Sequence, residues 1–234
     1  MNEPQTSRHQ IAALSVHLFT AAGAFCAFMA LAAVLEGFLG AAFGWLGLAL
    51  VIDGLDGPLA RLVDVETNAP HWNGAILDLV VDYLNYVLVP LVAVWRAGLL
   101  PDEIATLLCG VLAALSALYF ADNRMKTHDN WFRGFPALWN VLALYLFCFP
   151  LAPAFNAGVL VVFGALMFAP VVFVHPVRVE RWRALTLVVT AVWLGAAFWA
   201  LSIGFGPAPA PRALLLLTGL YFLTLAGWRS LFAR

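Results

Sequence analysis

The stretch from Asp53 to Asp82 reads DGLDGPLARLVDVETNAPHWNGAILDLVVD and places acidic side chains inside two of the most apolar segments of the chain. The 234 residues are 64% hydrophobic and only 11% charged, with a mean hydropathy of +0.92. Ionisable groups inside apolar segments are costly, so they mark functional sites by default. This stretch therefore bears on both the fold and the function.

Apolar residues outside this stretch are gathered into long runs, which predicts an all-α polytopic membrane protein. These runs argue against a water-soluble fold, and an outer-membrane barrel would need alternating segments of about ten residues. No linker or internal repeat divides the chain, so a single integral membrane domain over residues 1–234 is expected, with two additional C-terminal helices at about 184–231. Eight transmembrane helices are predicted, near 11–35, 40–60, 74–97, 101–122, 135–150, 156–174, 184–204 and 212–231.

The distribution of basic residues predicts the orientation of these helices. Of the 12 Lys and Arg residues, only Arg96 and Arg212 fall on one side of the predicted spans. By the positive-inside rule, the other side is cytoplasmic and holds both termini. Its basic residues are Arg8, Arg61, Arg124, Lys126, Arg133, Arg178, Arg181, Arg183, Arg229 and Arg234.

Two predicted helices carry polar stripes near the cytoplasmic surface. In the first, five residues fall within an arc of about 140° at 100° per residue: Asp53, Asp56, Gly57, Ala60 and Arg61. In the next, Gly74, Asp78 and Asp82 follow at a spacing of four residues, and Asn85 continues the stripe. A short loop joins the two helices, so the stripes are expected to face each other.

Four carboxylates in a partly desolvated site repel one another unless positive charge is supplied. Oxygen ligands without nearby His or Cys favour Mg²⁺ or Mn²⁺, and four aspartates suffice for two ions. The glycines and Ala60 leave space for a ligand, and Arg61 suits a phosphate oxygen. The pattern favours metal-assisted substitution at phosphorus. A simpler interpretation is that these charges are only the solvated ends of two helices.

The pattern D-x2-D-G-x2-A-R, a spacer, and then G-x3-D-x3-D resembles the signature of the CDP-alcohol phosphotransferases, and every fixed position is filled. Twelve residues separate Arg61 from Gly74, where most of that family has a shorter spacer. The long spacer, the eight predicted spans and the segment NRMKTHDNWFRGFPALWN (Asn123–Asn140) are similar to the branch of bacterial phosphatidylcholine synthases.

The resemblance implies the substrates, the ions and the residue roles. CDP-diacylglycerol and choline would react in a homodimer of the bacterial inner membrane, with the active site facing the cytoplasm and two Mn²⁺ or Mg²⁺ ions bound. Nucleic acid is not an expected partner. Metal ligands would be Asp53, Asp56, Asp78 and Asp82, with Asp82 as catalytic base, and the nucleotide and diphosphate would lie against Gly57, Ala60, Gly74 and Arg61.

Choline, a quaternary ammonium, is usually held by aromatic faces. Candidates for such a cage are Tyr83, Tyr86, Tyr119, Trp131 and Trp139, although aromatic residues near helix ends also form the ordinary interfacial belt. Arg124 and Lys126 are possible phosphate contacts or only topological charges. His17 and Thr20 in the first span could join the cavity or serve packing.

Other functions are compatible with parts of the pattern. A relative could use serine, inositol or glycerol phosphate as acceptor, although an anionic acceptor would call for a dedicated basic pocket. An ion-coupled carrier would place its aspartates near the bilayer midplane on broken helices, often within inverted repeats. Cys26, Cys109 and Cys148 lack metal-ligand spacing and are expected to be buried packing residues.

Overall fold

The structure, a computed structural model, describes residues 3–149 and 151–232 and divides into two compact units, 1–92 and 93–234. Pro150 and Arg234, which entered the predictions, lie outside the described residues. The helices up to the end of α5, which runs from the first unit into the second, are α1 (Glu3–Leu35), α2 (Leu39–Leu62), α3 (Val65–Asn68), α4 (Gly74–Asp82), a π-helical segment (Tyr83–Leu88) and α5 (Val89–Arg96). The remaining elements are α6 (Asp102–Phe120), β1 (Phe132–Arg133), α7 (Trp139–Cys148), α8 (Pro153–Leu166), β2 (Val172–Phe173), α9 (Arg183–Ser202) and α10 (Pro209–Phe232).

Within the described residues, 6 helical stretches are long and apolar enough to cross a membrane. They expose large apolar side chains such as Phe28, Leu107 and Phe198, as expected of helices that face lipid. The chain is therefore a polytopic helical membrane protein. The six stretches are Arg8–Leu35, Leu39–Leu62, Gly74–Arg96, Asp102–Phe120, Arg183–Ser202 and Pro209–Phe232.

The two other predicted spans correspond to the shorter helices α7 and α8. Their 10 and 14 residues give lengths of about 15 and 21 Å, against a hydrocarbon core of about 30 Å. α7 begins only at Trp139 because Pro136 lacks an amide hydrogen and Ala137 has a φ of +54°. α8 ends at Leu166, before Pro170, so the predicted bounds at 135 and 174 are wrong. Eight complete spans stay a prediction.

In the first unit, α1 packs along α2 and α4. Cys26 of α1 is buried with Ala49 and Ile52 of α2. On the other side, Gly23 of α1 lies so close to α4 that a β-carbon there would overlap the side chain of Val81. Asn85 donates from its Nδ2 to the Gly23 carbonyl oxygen at 3.0 Å. These contacts fix the depth of α2 and α4, which carry the aspartates, relative to α1.

In the second unit, buried polar groups join the helices pairwise. The Trp139 indole N–H of α7 donates to Ser116 Oγ of α6 at 2.8 Å, and the Tyr145 hydroxyl donates to the Leu215 carbonyl oxygen of α10 at 2.6 Å. Thr186 of α9 and Tyr221 of α10 are hydrogen-bonded through their hydroxyls at 2.9 Å. Such bonds are effective where lipid offers no competing partner.

A two-stranded antiparallel ladder joins the loops of the second unit, and the sequence pattern did not predict it. Phe132 pairs with Phe173, and Arg133 pairs with Val172. The Val172 amide also donates to Ser230 Oγ of α10 at 2.9 Å. The ladder thus ties the loop after α6 to the segment after α8 and to the end of α10. Cys26, Cys109 and Cys148 are buried, as predicted.

Candidate metal and nucleotide site

Three aspartates from two helices converge in the first unit. One carboxylate oxygen from each of Asp53 (α2), Asp78 and Asp82 (both α4) lies within 4.8 Å of the other two. Asp78 and Asp82 share a face because they are four residues apart, and all three side chains are partly buried. Close carboxylates in a partly desolvated site require compensating positive charge. The cluster has the donor atoms and the spacing of a divalent cation site.

Asp56 lies outside this cluster of three. It is buried, with 8% of its surface exposed, and it follows Asp53 by three residues on α2. Three residues of helical rise displace it by about 4.5 Å along the axis. The structure thus brings together three of the four predicted ligands, and the role of Asp56 as a ligand stays a prediction.

Tyr86 supports the cluster directly. Its hydroxyl donates to Asp53 Oδ2 at 2.7 Å, and the side chain is 6% exposed. It stands in the π-helical segment that follows Asp82, and π-helical turns occur frequently at functional sites. From its sequence position, Tyr86 was predicted to belong to the choline cage, and its bond to Asp53 was not predicted. The available signal was that Tyr86 continues the four-residue spacing of Gly74, Asp78 and Asp82.

The residues predicted to face a nucleotide lie beside the cluster along α2 and α4. Gly57 and Ala60 are partly buried, whereas Arg61 is exposed and folds back over Gly57, where a β-carbon would lie 3.5 Å from Arg61 Nη1. At Gly74, the start of α4, a β-carbon would lie 3.2 Å from Cε1 of His17. Gly74 therefore allows the close approach of His17, whereas at Gly57 a β-carbon would make only an ordinary contact with Arg61.

His17 of α1 lies against the start of α4, whereas the sequence left open whether it joins the cavity or only packs. Its side chain is 5% exposed, and its Nε2 atom is buried without a hydrogen-bond partner among the described residues. Buried polar atoms of this kind are uncommon and call for an explanation. Thr20, one turn further on, donates to the Val16 carbonyl oxygen of its own helix at 3.3 Å.

A family model for CDP-alcohol phosphatidyltransferases matches residues 15–174, which include the three clustered aspartates and all of α1 from Ser15 onward. The chain belongs to the CDP-alcohol phosphatidyltransferase family. The family generally uses divalent cations, and the acidic cluster is compatible with them.

Relatives named phosphatidylcholine synthase match most of the chain. The protein from Bradyrhizobium diazoefficiens is 46% identical over 198 residues, covering 85% of this chain and 74% of the relative. That from Mesorhizobium japonicum is 43% identical over 194 residues, covering 83% and 72%. That from Pseudomonas aeruginosa is 39% identical over 236 residues, covering 98% and 97%.

Among the aromatics that could hold a choline in this CDP-alcohol phosphatidyltransferase, two have packing roles. Trp139 is 1% exposed and its N–H bonds to Ser116, while Trp131 is 2% exposed and has the Arg229 guanidinium over its ring at 5.8 Å. Tyr119 is also buried, but its hydroxyl has no hydrogen-bond partner among the described residues. Tyr83 is partly buried.

The two predicted phosphate contacts lie in the loop after α6 and have neighbours of their own. Arg124 donates to Asp122 from Nε and from Nη2, each at 2.9 Å. These hydrogen bonds lower the pKa of the partly exposed Asp122 carboxyl to about 2. The Lys126 ammonium lies 5.5 Å from the centroid of the Phe132 ring. Their contact with phosphate stays a prediction.

Proposed function

We propose that this protein is a phosphatidylcholine synthase, which transfers the phosphatidyl group of CDP-diacylglycerol to the hydroxyl of free choline and releases CMP. The observation that carries the proposal is the convergence of Asp53, Asp78 and Asp82 within 4.8 Å on the motif of this family. The name shared by relatives that are 38% to 46% identical supports choline as the acceptor.

Mn²⁺ or Mg²⁺ suits a site built of carboxylate oxygens. Asp53, Asp78 and Asp82 would hold the metal, and Asp56 would complete the ligands of a two-ion site. When bound, the ions neutralise negative charge on the diphosphate and on the departing CMP.

Asp82 accepts the proton of the choline hydroxyl on a carboxylate oxygen. The hydroxyl oxygen forms a bond to the phosphorus that carries diacylglycerol, and the bond from that phosphorus to the oxygen of CMP breaks. Arg61 binds a phosphate oxygen, since its planar guanidinium offers several donors. Gly57, Ala60 and Gly74 leave space for the nucleotide, because their side chains are small or absent.

Tyr86 acts through Asp53. A hydrogen bond to one carboxylate oxygen fixes the orientation of a ligand before the ion arrives, and such supporting bonds contribute to metal affinity. Of the aromatics considered for choline, Tyr83 and Tyr119 remain individual candidates, because Tyr86 is bonded to Asp53 and both tryptophans have packing roles.

The site is placed at the cytoplasmic face of the bacterial inner membrane. The basic residues concentrate on one side of the spans, and the positive-inside rule assigns that side, which holds both termini, to the cytoplasm. CDP-diacylglycerol enters from the inner leaflet and choline from the cytosol. The functional unit is a homodimer, as the family resemblance implies.

The test supplies the purified full-length protein with CDP-diacylglycerol, Mn²⁺ or Mg²⁺, and one acceptor at a time: choline, serine, inositol or glycerol phosphate. Choline alone should give lipid and an equal amount of CMP. Asp82→Asn should abolish CMP release, whereas the matched control Asp64→Asn should retain it. Asp64 is an exposed residue at the N-cap of α3 and stands outside the cluster.

Each contrary outcome points to another function. Product with serine, inositol or glycerol phosphate instead of choline would keep the chemistry and change the acceptor. Choline uptake into vesicles without CMP release would favour an ion-coupled carrier. Full activity in excess chelator would contradict the role of the acidic cluster.

A further inference from the structure

A cavity of about 610 Å³ lies in the second unit, within the volume range of small-ligand sites. The loop 128–131 lines one side, the segment 178–181 lines another, and the last turns of α10 contribute Arg229. Apart from Trp131, none of its lining residues entered the site predictions.

Two of the lining guanidinium groups rest on aromatic rings. The Arg229 guanidinium lies 5.8 Å from the Trp131 ring centroid, and the Arg181 guanidinium lies 4.5 Å from that of Trp228. Trp131 is itself buried with Val174 and Val179, so the floor of the cavity is a packed cluster. Cation–π contacts of this kind restrict long side chains that would otherwise be mobile. The donors are thus partly preorganised.

The charges of the cavity favour an anion. Arg178, Arg181 and Arg229 line it against two carboxylates, Asp129 and Glu180. Asp129 is already engaged by Arg229, whose Nη2 lies 3.1 Å from Asp129 Oδ2. Among the described residues, neither Arg178 nor Arg181 forms a salt bridge. A guanidinium offers parallel donors that match phosphate oxygens, so the unused donors call for a ligand of that chemistry.

The position of the cavity along the helices indicates where such a ligand comes from. Arg181 stands two residues before α9 begins at Arg183, and Arg229 lies in the last turn of α10. Both helices are candidate spans. The cavity therefore lies where two spans end, at the level of the lipid headgroups. Basic residues just beyond a span attract anionic lipids.

We propose that this cavity binds a phosphate-bearing anion, supplied by the headgroup of an anionic phospholipid or by free phosphate, through Arg178, Arg181 and Arg229. This binding site is separate in its residues from the motif aspartates and does not depend on choline being the acceptor.

The experiment compares full-length wild type with the double variant Arg178→Gln/Arg181→Gln and a control, Arg8→Gln/Arg183→Gln. All four arginines are exposed, so both variants are expected to fold, and both lose the same charge. Neither control position lines the cavity. Retention of phosphatidylglycerol is measured by native mass spectrometry, with phosphatidylcholine as the zwitterionic comparison. In a second arm, the shift of the thermal unfolding midpoint is recorded with inorganic phosphate.

Wild type and the control variant should retain phosphatidylglycerol, and the cavity variant should lose at least about tenfold in affinity, as removal of two basic contacts predicts. If the cavity variant lost the thermal shift with inorganic phosphate but kept phosphatidylglycerol as wild type does, the ligand would be free phosphate rather than a lipid headgroup. Equal losses in both double variants would overturn the proposal, because they would show a general charge effect. So would the absence of any binding to wild type.

Discussion

Tyr86 supports the geometry of the acidic cluster through Asp53. Its buried hydroxyl holds Asp53 at 2.7 Å. Tyr86→Phe removes only that hydroxyl, and loss of such a supporting bond typically costs about 10- to 100-fold in metal affinity. We expect the Mn²⁺ or Mg²⁺ concentration for half-maximal CMP release to rise by that factor, while the unfolding midpoint changes little.

Isothermal titration of the substrate-free protein with Mn²⁺ gives the second readout for Tyr86. Tyr145→Phe is the matched control, because it removes a hydroxyl bonded to the Leu215 carbonyl and leaves the aspartates untouched. Equal metal affinity in wild type and Tyr86→Phe would show that the bond has no role in metal binding.

His175 gives the stability a pH dependence. Burial, with the nearby Arg178 and Lys126, lowers its pKa from 6.5 to about 4. The neutral ring accepts from the amides of Val177 and Arg178 at 3.3 and 3.4 Å. Between pH 6.5 and about 4 the unfolded chain binds a proton that the folded chain does not, so stability falls as the pH falls through this window.

The measurement for His175 is the unfolding midpoint across that pH window in His175→Asn, which keeps an acceptor but does not titrate. A flatter profile than that of wild type is expected between pH 6.5 and 4. Identical slopes would assign the dependence to other groups. His128→Asn serves as the control, since His128 is exposed.

Among individual residues, the sequence predicted the clustered carboxylates better than the residue that is hydrogen-bonded to them. Asp53, Asp78 and Asp82 could be found because charge in an apolar helix is rare and the four-residue spacing is directional. The bond from Tyr86 was not predicted, because an aromatic residue in a span is ordinary, although Tyr86 continues the same four-residue spacing. Spacing on a single helix does not encode which carboxylate oxygens of two helices meet, so it could not separate Asp56 from the other three aspartates.

Among the elements, the helix that continues from α4 into the π-helical segment contacts two neighbouring helices. In a regular α-helix, Asn85 and Tyr86 would flank the line of Asp78 and Asp82 on opposite sides, because adjacent residues differ by about 100°. Asn85 bonds to α1 at Gly23, and Tyr86 bonds to α2 at Asp53. Periodicity of 3.6 residues gives no sign of the wider turn, so the sequence predicted a continuous helix.

Gly134, next to strand β1, provides a test of the loop structure. Its φ is +72°, its amide donates to the Val171 carbonyl at 2.7 Å, and a β-carbon would overlap the Met167 carbonyl group. Gly134→Ala should therefore combine a left-handed penalty of about 1–2 kcal/mol with about 1–3 kcal/mol of overpacking.

Gly98→Ala separates the two costs measured at Gly134. Gly98 has a φ of +65° but has no atom within 4 Å of its would-be β-carbon. In denaturant, Gly98→Ala should lower the free energy of unfolding by the left-handed penalty alone, about 1–2 kcal/mol. Gly134→Ala should lower it by that penalty plus the overpacking cost of about 1–3 kcal/mol. Equal effects would remove the steric part of the explanation.

For the whole molecule, the helical class and six spans could be predicted because apolar run length is a strong signal. The loops between α6 and α9 could not, since their ladder pairs residues about forty positions apart, a non-local contact that no local pattern encodes. The same loops hold the basic cavity, whose arginines are scattered along the sequence between Arg178 and Arg229.

The orientation does not depend on whether α7 and α8 cross the membrane, because they form a consecutive pair and leave the parity of the spans unchanged. The loop after α6 and the segment before α9 are therefore both expected in the cytoplasm, with the cytoplasmic end of α2 at Arg61. The turns at Asp102 and Ser202 are expected on the opposite side. Since the native cysteines are buried, single new cysteines can report on each loop.

Asn123→Cys, Asp102→Cys and Ser202→Cys place one thiol at each exposed position. On intact cells, a membrane-impermeant maleimide should label positions 102 and 202 only, and permeabilised cells should also give label at position 123. The physical reason is the basic bias, since ten basic residues would otherwise have to be translocated. Label at position 123 on intact cells would put the acidic cluster on the face away from cytosolic choline and would contradict the proposed orientation.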